Sequence, residues 1–196
     1  MRRLVIALTG ASVAVLGVEA LRRAAEIPDV ETHVIVTGSG LQTLHQETDL
    51  NFADVRELAD FVHKNNDLAS ELSSGSFRVD GMLVAPCSVT TLSSIANSYD
   101  ANLVVRAADV TLKERRPLVL MLRETPFHLG HIRLMEQVTL NGAIVMPPMP
   151  AFYLRPKSVE EIVAQTVGRA FDLLGMPLDD TQRWAGIDPG RKAARE

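Results

Sequence analysis

The chain has one cysteine, Cys87, among 196 residues. A lone thiol excludes a disulfide framework and a cysteine-built zinc cluster. Nor is there an excess of positive charge: 20 lysines and arginines face 24 aspartates and glutamates, a net charge of −4. That balance excludes the global basic field used to hold nucleic acid, although a few cations can still converge on one small anion. No apolar run reaches the roughly 20 residues that cross a bilayer. The run after Arg2 and Arg3 covers only Leu4–Leu8 before Thr9-Gly10-Ala11-Ser12 interrupts it, unlike an export leader. Walker and G-x-G-x-x-G loops are missing too, which weakens a nucleoside triphosphate or dinucleotide reading. There are no internal repeats and no low-complexity stretches. What is present, 46% hydrophobic and 22% charged residues, is the composition of one folded domain. A cytoplasmic location is expected, with no nucleic-acid partner and no membrane span.

Short apolar runs alternate with helical patterns along the whole chain. Leu4–Leu8, His33–Thr37, Gly81–Ala85, Leu118–Leu122 and Ala143–Met146 read as buried strands. Helical patterns cover Val13–Ala25, with Ser12 as N-cap, then Leu41–Gln46, Asp54–His63 and Val89–Ala96. Leu103–Lys113, Leu129–Leu140 and Val159–Leu174 continue the series. Continuous apolar strands between helices predict a mostly parallel sheet covered on both faces. The expected fold is a single-domain, Rossmann-like (flavodoxin-like) α/β three-layer sandwich. Residues 1–178 make the domain, and residues 179–196, with Trp184 and a closing Gly190–Glu196 stretch, form a tail expected to be partly disordered. Ser70–Ser76 reads as a surface loop.

In such sheets ligands sit beyond the carboxyl ends of the strands. Small polar residues stand at four of those ends: Gly10-Ala11-Ser12, Thr37-Gly38-Ser39, Ser88-Val89-Thr90-Thr91 and Arg123-Glu124. Hydroxyl residues that open helices expose unpaired backbone N–H groups, which attract phosphate. Any one of them is most often a plain cap. Their recurrence at successive strand ends points to a ligand, and a flat mononucleotide such as FMN suits hydroxyl-rich turns. A second, cationic group comprises Arg106, Lys113, Arg115, Arg116 and Arg123. Arg115 and Arg116 read as a solvated helix end. Arg106 lies in an otherwise apolar helix and needs an anionic partner if buried, which Asp109 could supply. Four prolines and two aromatics between Pro147 and Pro156 fix a rigid loop, where Tyr153 can donate to a phosphate while its ring bounds an apolar pocket. Glu47 is a surface acid by default.

Several runs resemble the flavin prenyltransferases, the UbiX-like family. They are Ala85–Ser88, Arg106–Arg116, Arg123–Pro126 and Pro147–Tyr153, and the likeness extends in order from Leu4 to about Gly175. Ser73–Phe77 is most similar to the branch encoded beside phenolic-acid decarboxylases. The resemblance implies transfer of a dimethylallyl group from dimethylallyl monophosphate to N5 and C6 of reduced FMN, without metal. The prenylated FMN then serves a UbiD-like decarboxylase, and dodecamers carry active sites between subunits. By matching motif, Gly10, Ala11, Ser12, Thr37, Ser88, Val89, Thr90, Thr91 and Arg123 are expected to contact FMN. Lys113, Arg123, Glu124, Tyr153 and Arg169, assisted by Arg106, are expected to hold the prenyl donor. Ser12 and Glu47 match residues of proton transfer.

Two departures stand out. Val13 replaces the second glycine of the usual Gly-Ala-Ser-Gly-Ala turn; valine is tolerable at a helix start but narrows the space beside a flavin. Leu68 stands near where some members carry an aromatic. Two other readings compete. A flavin-dependent decarboxylase of cysteine-terminated substrates requires a catalytic histidine and a Pro-x-Met-Asn motif, and neither is evident. A non-catalytic FMN-binding accessory subunit of a phenolic-acid decarboxylase would not need a second phosphate site.

Overall fold

The computed structural model describes residues 1–186, so the Gly190–Glu196 stretch lies outside the described residues. The chain begins with β1 (Arg2–Leu8), α1 (Val15–Ala25), β2 (Val30–Val36), α2 (Gly38–Glu47), α3 (Phe52–Glu57) and β3 (Phe61–Lys64). A 3-10 turn at Glu71–Ser73 leads to β4 (Gly81–Cys87), α4 (Val89–Ala96), α5 (Leu103–Lys113) and β5 (Leu118–Leu122). Then come α6 (Leu129–Leu140), β6 (Ile144–Val145), a 3-10 turn at Phe152–Leu154 and α7 (Val159–Leu173). All strand pairs are parallel, in the order β3-β2-β1-β4-β5-β6. The expected α/β three-layer fold is the observed one.

Alternation along β1 builds the layers. Leu4, Ile6 and Leu8 pack with α1, α2, α3 and α7 in one core, while Val5 and Ala7 join α4, α5, α6 and Leu72 in the other. Both faces are covered, so central strands read as unbroken apolar runs. No helix among the described residues is long and apolar enough to cross a membrane.

The structure corrects several expected elements. The Asp54–His63 helix is instead a six-residue helix followed by a sixth strand. Asn51 and Asp54 form a reciprocal capping box that starts α3, and Leu58 ends it. Asp60 then accepts from the Thr32 backbone N–H and hydroxyl, at 2.8 and 2.9 Å, which draws Phe61–Lys64 onto β2. The preceding helix, α2, starts earlier than expected, at Gly38, because Thr37 caps it through the Gly40 N–H at 2.9 Å. Ser70–Ser76 lies at the surface, with Glu71, Ser74 and Ser76 exposed, but its 3-10 turn packs on α5 and buries Ser70 and Leu72.

Gly17 shows how closely α1 approaches the sheet. A Cβ there would overlap the Ala85 carbonyl oxygen and lie 2.7 Å from Leu8 Cγ. Gly17→Ala gains about 1 kcal/mol of helix propensity but forces overpacking that costs about 1–3 kcal/mol and cannot relax against a strand carbonyl. The expected result is a net lower midpoint in thermal unfolding.

Candidate active site

The strand order reverses between β1 and β4, and the turns beyond their carboxyl ends are bonded together. The Thr9 hydroxyl donates to the Pro86 carbonyl at 2.7 Å and accepts from the Ser88 N–H at 2.9 Å. Thr37 N–H donates to the Leu8 carbonyl at 3.0 Å, and Arg123 N–H to the Cys87 carbonyl at 3.1 Å. Four turns thus form one continuous rim. Two glycines let the second turn lie on the first, because a Cβ at Gly10 would overlap that of Ser39, and one at Gly40 the Leu8 carbonyl. The rim unites Gly10, Ala11, Ser12, Thr37, Ser88, Val89, Thr90, Thr91 and Arg123.

Ser88 caps α4 through the Thr91 N–H at 3.2 Å, and its hydroxyl pairs with that of Thr91 at 3.0 Å. Ser12 does not cap α1, contrary to expectation. The helix starts at Val15 after Ala14, which has no side-chain cap. A carboxylate from elsewhere does that work: Glu47, the last residue of α2, accepts the Ala14 N–H at 2.8 Å through Oε2. Glu47 therefore stands beside the Ser12 turn, and its other oxygen has no partner among the described residues. Val13 has φ of 76°, the left-handed region where a β-branched side chain is strained. Valine here is more than a tolerable helix start, since the turn wants the glycine conformation and receives it under strain.

Seven backbone N–H groups of the rim have no acceptor among the described residues: Gly10, Ser12, Val13, Gly38, Ser39, Val89 and Thr90. They converge with the positive ends of α2 and α4, so the rim can hold phosphate. The Arg123 side chain, exposed at the same edge, has no carboxylate partner among the described residues. Glu124 beside it accepts the Thr125 N–H at 2.8 Å.

Other cations are engaged. Arg106 donates to Asp100 at 2.9 Å, to Asp109 at 3.2 Å and to the Ser73 carbonyl at 3.2 Å, so Asp109 is one of two anionic partners. Lys113 donates to Glu114 at 2.6 Å. It ends α5, next to the start of β4, where Met82 N–H meets the Pro117 carbonyl at 2.9 Å. Within one chain Lys113 is thus at the opposite edge of the sheet from Arg123, a strand's length away, about 17 Å at 3.3 Å per residue.

Tyr153 and Arg169 do meet. They line a cavity of about 360 Å³ with Met146, Met149, Asp172 and Trp184. Tyr153 meets Trp184 edge-on at 5.2 Å. Asp172 accepts from Arg169 at 3.4 Å and from Arg183 at 2.7 Å, so one carboxylate faces two guanidinium groups. Arg183 and Trp184 go unmarked in the sequence because the tail has no periodicity and no strand end, and Asp172 because an acid within the α7 pattern reads as a solvated helix face. Cys87 is fully buried, which pushes its thiol up to about 12. It should resist a thiol reagent such as DTNB at pH 8 in the native protein and react only after unfolding, because the thiolate is the nucleophile.

A family model described as Flavoprotein matches residues 1–170. The chain is 49% identical to the flavin prenyltransferase UbiX of Escherichia coli K12 over 188 residues, covering 95% of this chain and 100% of that one. It superposes on the crystal structure of AnUbiX (PadA1) in complex with FMN and dimethylallyl pyrophosphate with a TM-score of 0.93. The two are 46% identical, over 95% of this chain and 99% of the other. A dodecameric FMN-dependent UbiX-like decarboxylase from Escherichia coli O157:H7 gives 0.91 at 44% identity, over 94% and 100% of the two chains.

Proposed function

We infer from the membership of this chain in the UbiX-like flavin prenyltransferase family that it joins a dimethylallyl group, from dimethylallyl monophosphate, to N5 and C6 of reduced FMN. The observation that carries this reading is the presence of two separate anion-holding regions, the N–H rim and the Tyr153–Arg169 cavity. One phosphate site would suffice for a flavin carrier.

The residues present suit FMN. The unpaired N–H groups of the rim answer its phosphate, and open space beside Gly38, with nothing within 4 Å of a Cβ there, leaves room at the same edge. When bound, the reduced flavin supplies the electron-rich ring edge that accepts the prenyl group. The chain's own groups do the rest. Tyr153, Arg169, Arg123, Glu124 and Lys113 hold the donor's phosphate, and the Tyr153 hydroxyl and the three cations among them stabilise negative charge as the allylic carbon–oxygen bond breaks. Met146, Met149 and Trp184 keep water from the allylic carbon. Glu47 keeps one carboxylate oxygen free for a proton, and the Ser12 hydroxyl beside it has no partner among the described residues. Arg106, bound to two carboxylates, acts by fixing the 70–77 turn against α5.

Because Lys113 and Arg123 lie at opposite sheet edges, a site using both takes Lys113 from a neighbouring copy. A dodecamer like that of the Escherichia coli relative supplies such neighbours. The product serves a UbiD-like decarboxylase in the cytoplasm. Incubation of the purified protein with reduced FMN and dimethylallyl monophosphate, followed by mass spectrometry of the flavin, tests the function. A gain of one C5H8 unit is expected; an unchanged flavin reduces the protein to an accessory role.

A further inference from the structure

On the face of the sheet covered by α5, at its β3 edge, two histidines meet. His33 on β2 pairs in register with Phe61, and His63 on β3 with Ile35, so the two imidazoles are diagonal neighbours on one face. His33 Nδ1 lies 2.9 Å from His63 Nε2. The outer nitrogen of each ring has its own partner: Glu31 Oε1 at 3.0 Å from His33 Nε2, and Ser70 Oγ at 3.0 Å from His63 Nδ1. Phe61 stacks on His33 at 5.0 Å and Phe77 meets it edge-on at 5.4 Å, which fixes the ring plane. Glu71, in the adjoining 3-10 turn, brings a carboxylate oxygen within 4.8 Å of a ring nitrogen of each histidine. That carboxylate is exposed and makes no hydrogen bond or ion pair among the described residues.

Proton placement follows from the partners. Arg3 donates to Glu31 at 2.6 Å and holds its carboxyl below the usual range, so Glu31 is an ionised acceptor. His33 therefore carries its proton on Nε2, and its Nδ1 lone pair points at His63. Burial is the main cause that lowers the proton affinity of His63 below that of a free imidazole. With no ion bound, the His63 Nε2 proton bridges the two rings.

We propose that His33 Nδ1, His63 Nε2 and a carboxylate oxygen of Glu71 bind a divalent transition-metal ion, with zinc as the fitting example. Two imidazoles and a carboxylate favour zinc, nickel or copper over calcium or magnesium. Three protein ligands leave a position for water, the arrangement of an open zinc site. Glu31 and Ser70 stand where the second-sphere partners of metal-bound histidines stand, orienting each ring through its outer nitrogen. The exchange balances: the bridging proton moves from His63 Nε2 to Nδ1, Ser70 Oγ accepts it there, and the ion takes its place. The inner nitrogens need only part from 2.9 Å to about 3.3–3.4 Å for tetrahedral bonds of about 2.0–2.1 Å. Such an ion would tie β2 and β3 to the 70–77 turn, whose Ser73 carbonyl holds Arg106 and whose Gly75 and Phe77 carbonyls hold Arg116. None of its three ligands belongs to the N–H rim or lines the Tyr153 cavity.

Titration of the tag-free, chelator-treated full chain with zinc by calorimetry, and with cobalt by visible absorption, tests this. One ion per chain at micromolar or tighter affinity is expected, with the strong visible bands of tetrahedral cobalt. Glu71→Ala, an exposed change that spares the core, should weaken binding at least about tenfold, as should His63→Gln. His131→Ala should leave it unchanged, since His128 and His131 form the other close histidine pair. Failure to take up zinc at 100-fold molar excess overturns the site. So does uptake that survives Glu71→Ala or disappears with His131→Ala.

Discussion

Arg169→Ala should lower kcat/KM for dimethylallyl monophosphate by about 10²–10³, the cost of one preorganised donor at a developing anion. The affinity for FMN should stay within about threefold. Arg169 projects into the cavity shared with Tyr153, Met146 and Met149, away from the unpaired N–H groups of the rim. Its positive charge is not cancelled there, because Asp172 is bonded more closely by Arg183, at 2.7 Å against 3.4 Å. The side chain is 59% exposed, so truncation leaves no buried charge stranded and the fold should hold. Tyr153→Phe keeps the edge-on contact with Trp184 and removes only a hydroxyl, for which a loss of about tenfold is expected. Steady-state kinetics with varied donor, beside FMN titration by fluorescence, separates the two subsites. An equal fall in FMN affinity for Arg169→Ala would place that residue on the flavin.

How much of this was legible beforehand depends on the range of the interactions involved. The rim was readable because its signals are local. An apolar run that stops at a hydroxyl marks a parallel strand entering a helix, and Thr37 and Ser88 cap as such residues do. The cap of α1 was not readable, since Glu47 and Ala14 are 33 positions apart and nothing near Ala14 announces a carboxylate. β3 was missed for a related reason. Four residues at a sheet edge alternate too briefly to outweigh the helical pattern around them, and their pairing with β2 is set by Asp60 reaching Thr32. Val13 was visible as an exception to a family turn, but only the backbone shows the cost, a φ of 76°. Arg183 and Trp184 needed the folded tail to bring them to Tyr153.

Lys113 gives the sharpest test, since the fold separates it from its supposed co-workers. α5 runs antiparallel to the strand that follows it, so its last residue is delivered to the edge where β4 and β5 begin. Arg123 follows the other end of β5. No side-chain rotation bridges a separation of about 17 Å, and Lys113 is moreover occupied by Glu114 within its own chain. If the donor's phosphate needs both cations, they come from different copies. Lys113→Ala and Arg123→Ala should each reduce turnover by about 10² when made alone. Co-expressed, the two variants assemble mixed oligomers in which random pairing restores both cations at about a quarter of the sites, because each site draws the two residues from different chains. Recovered activity near that fraction is the expected outcome, with separately purified variants mixed after assembly as the inactive control. Mixed oligomers no more active than either parent would mean that Lys113 works within its own chain or not at all.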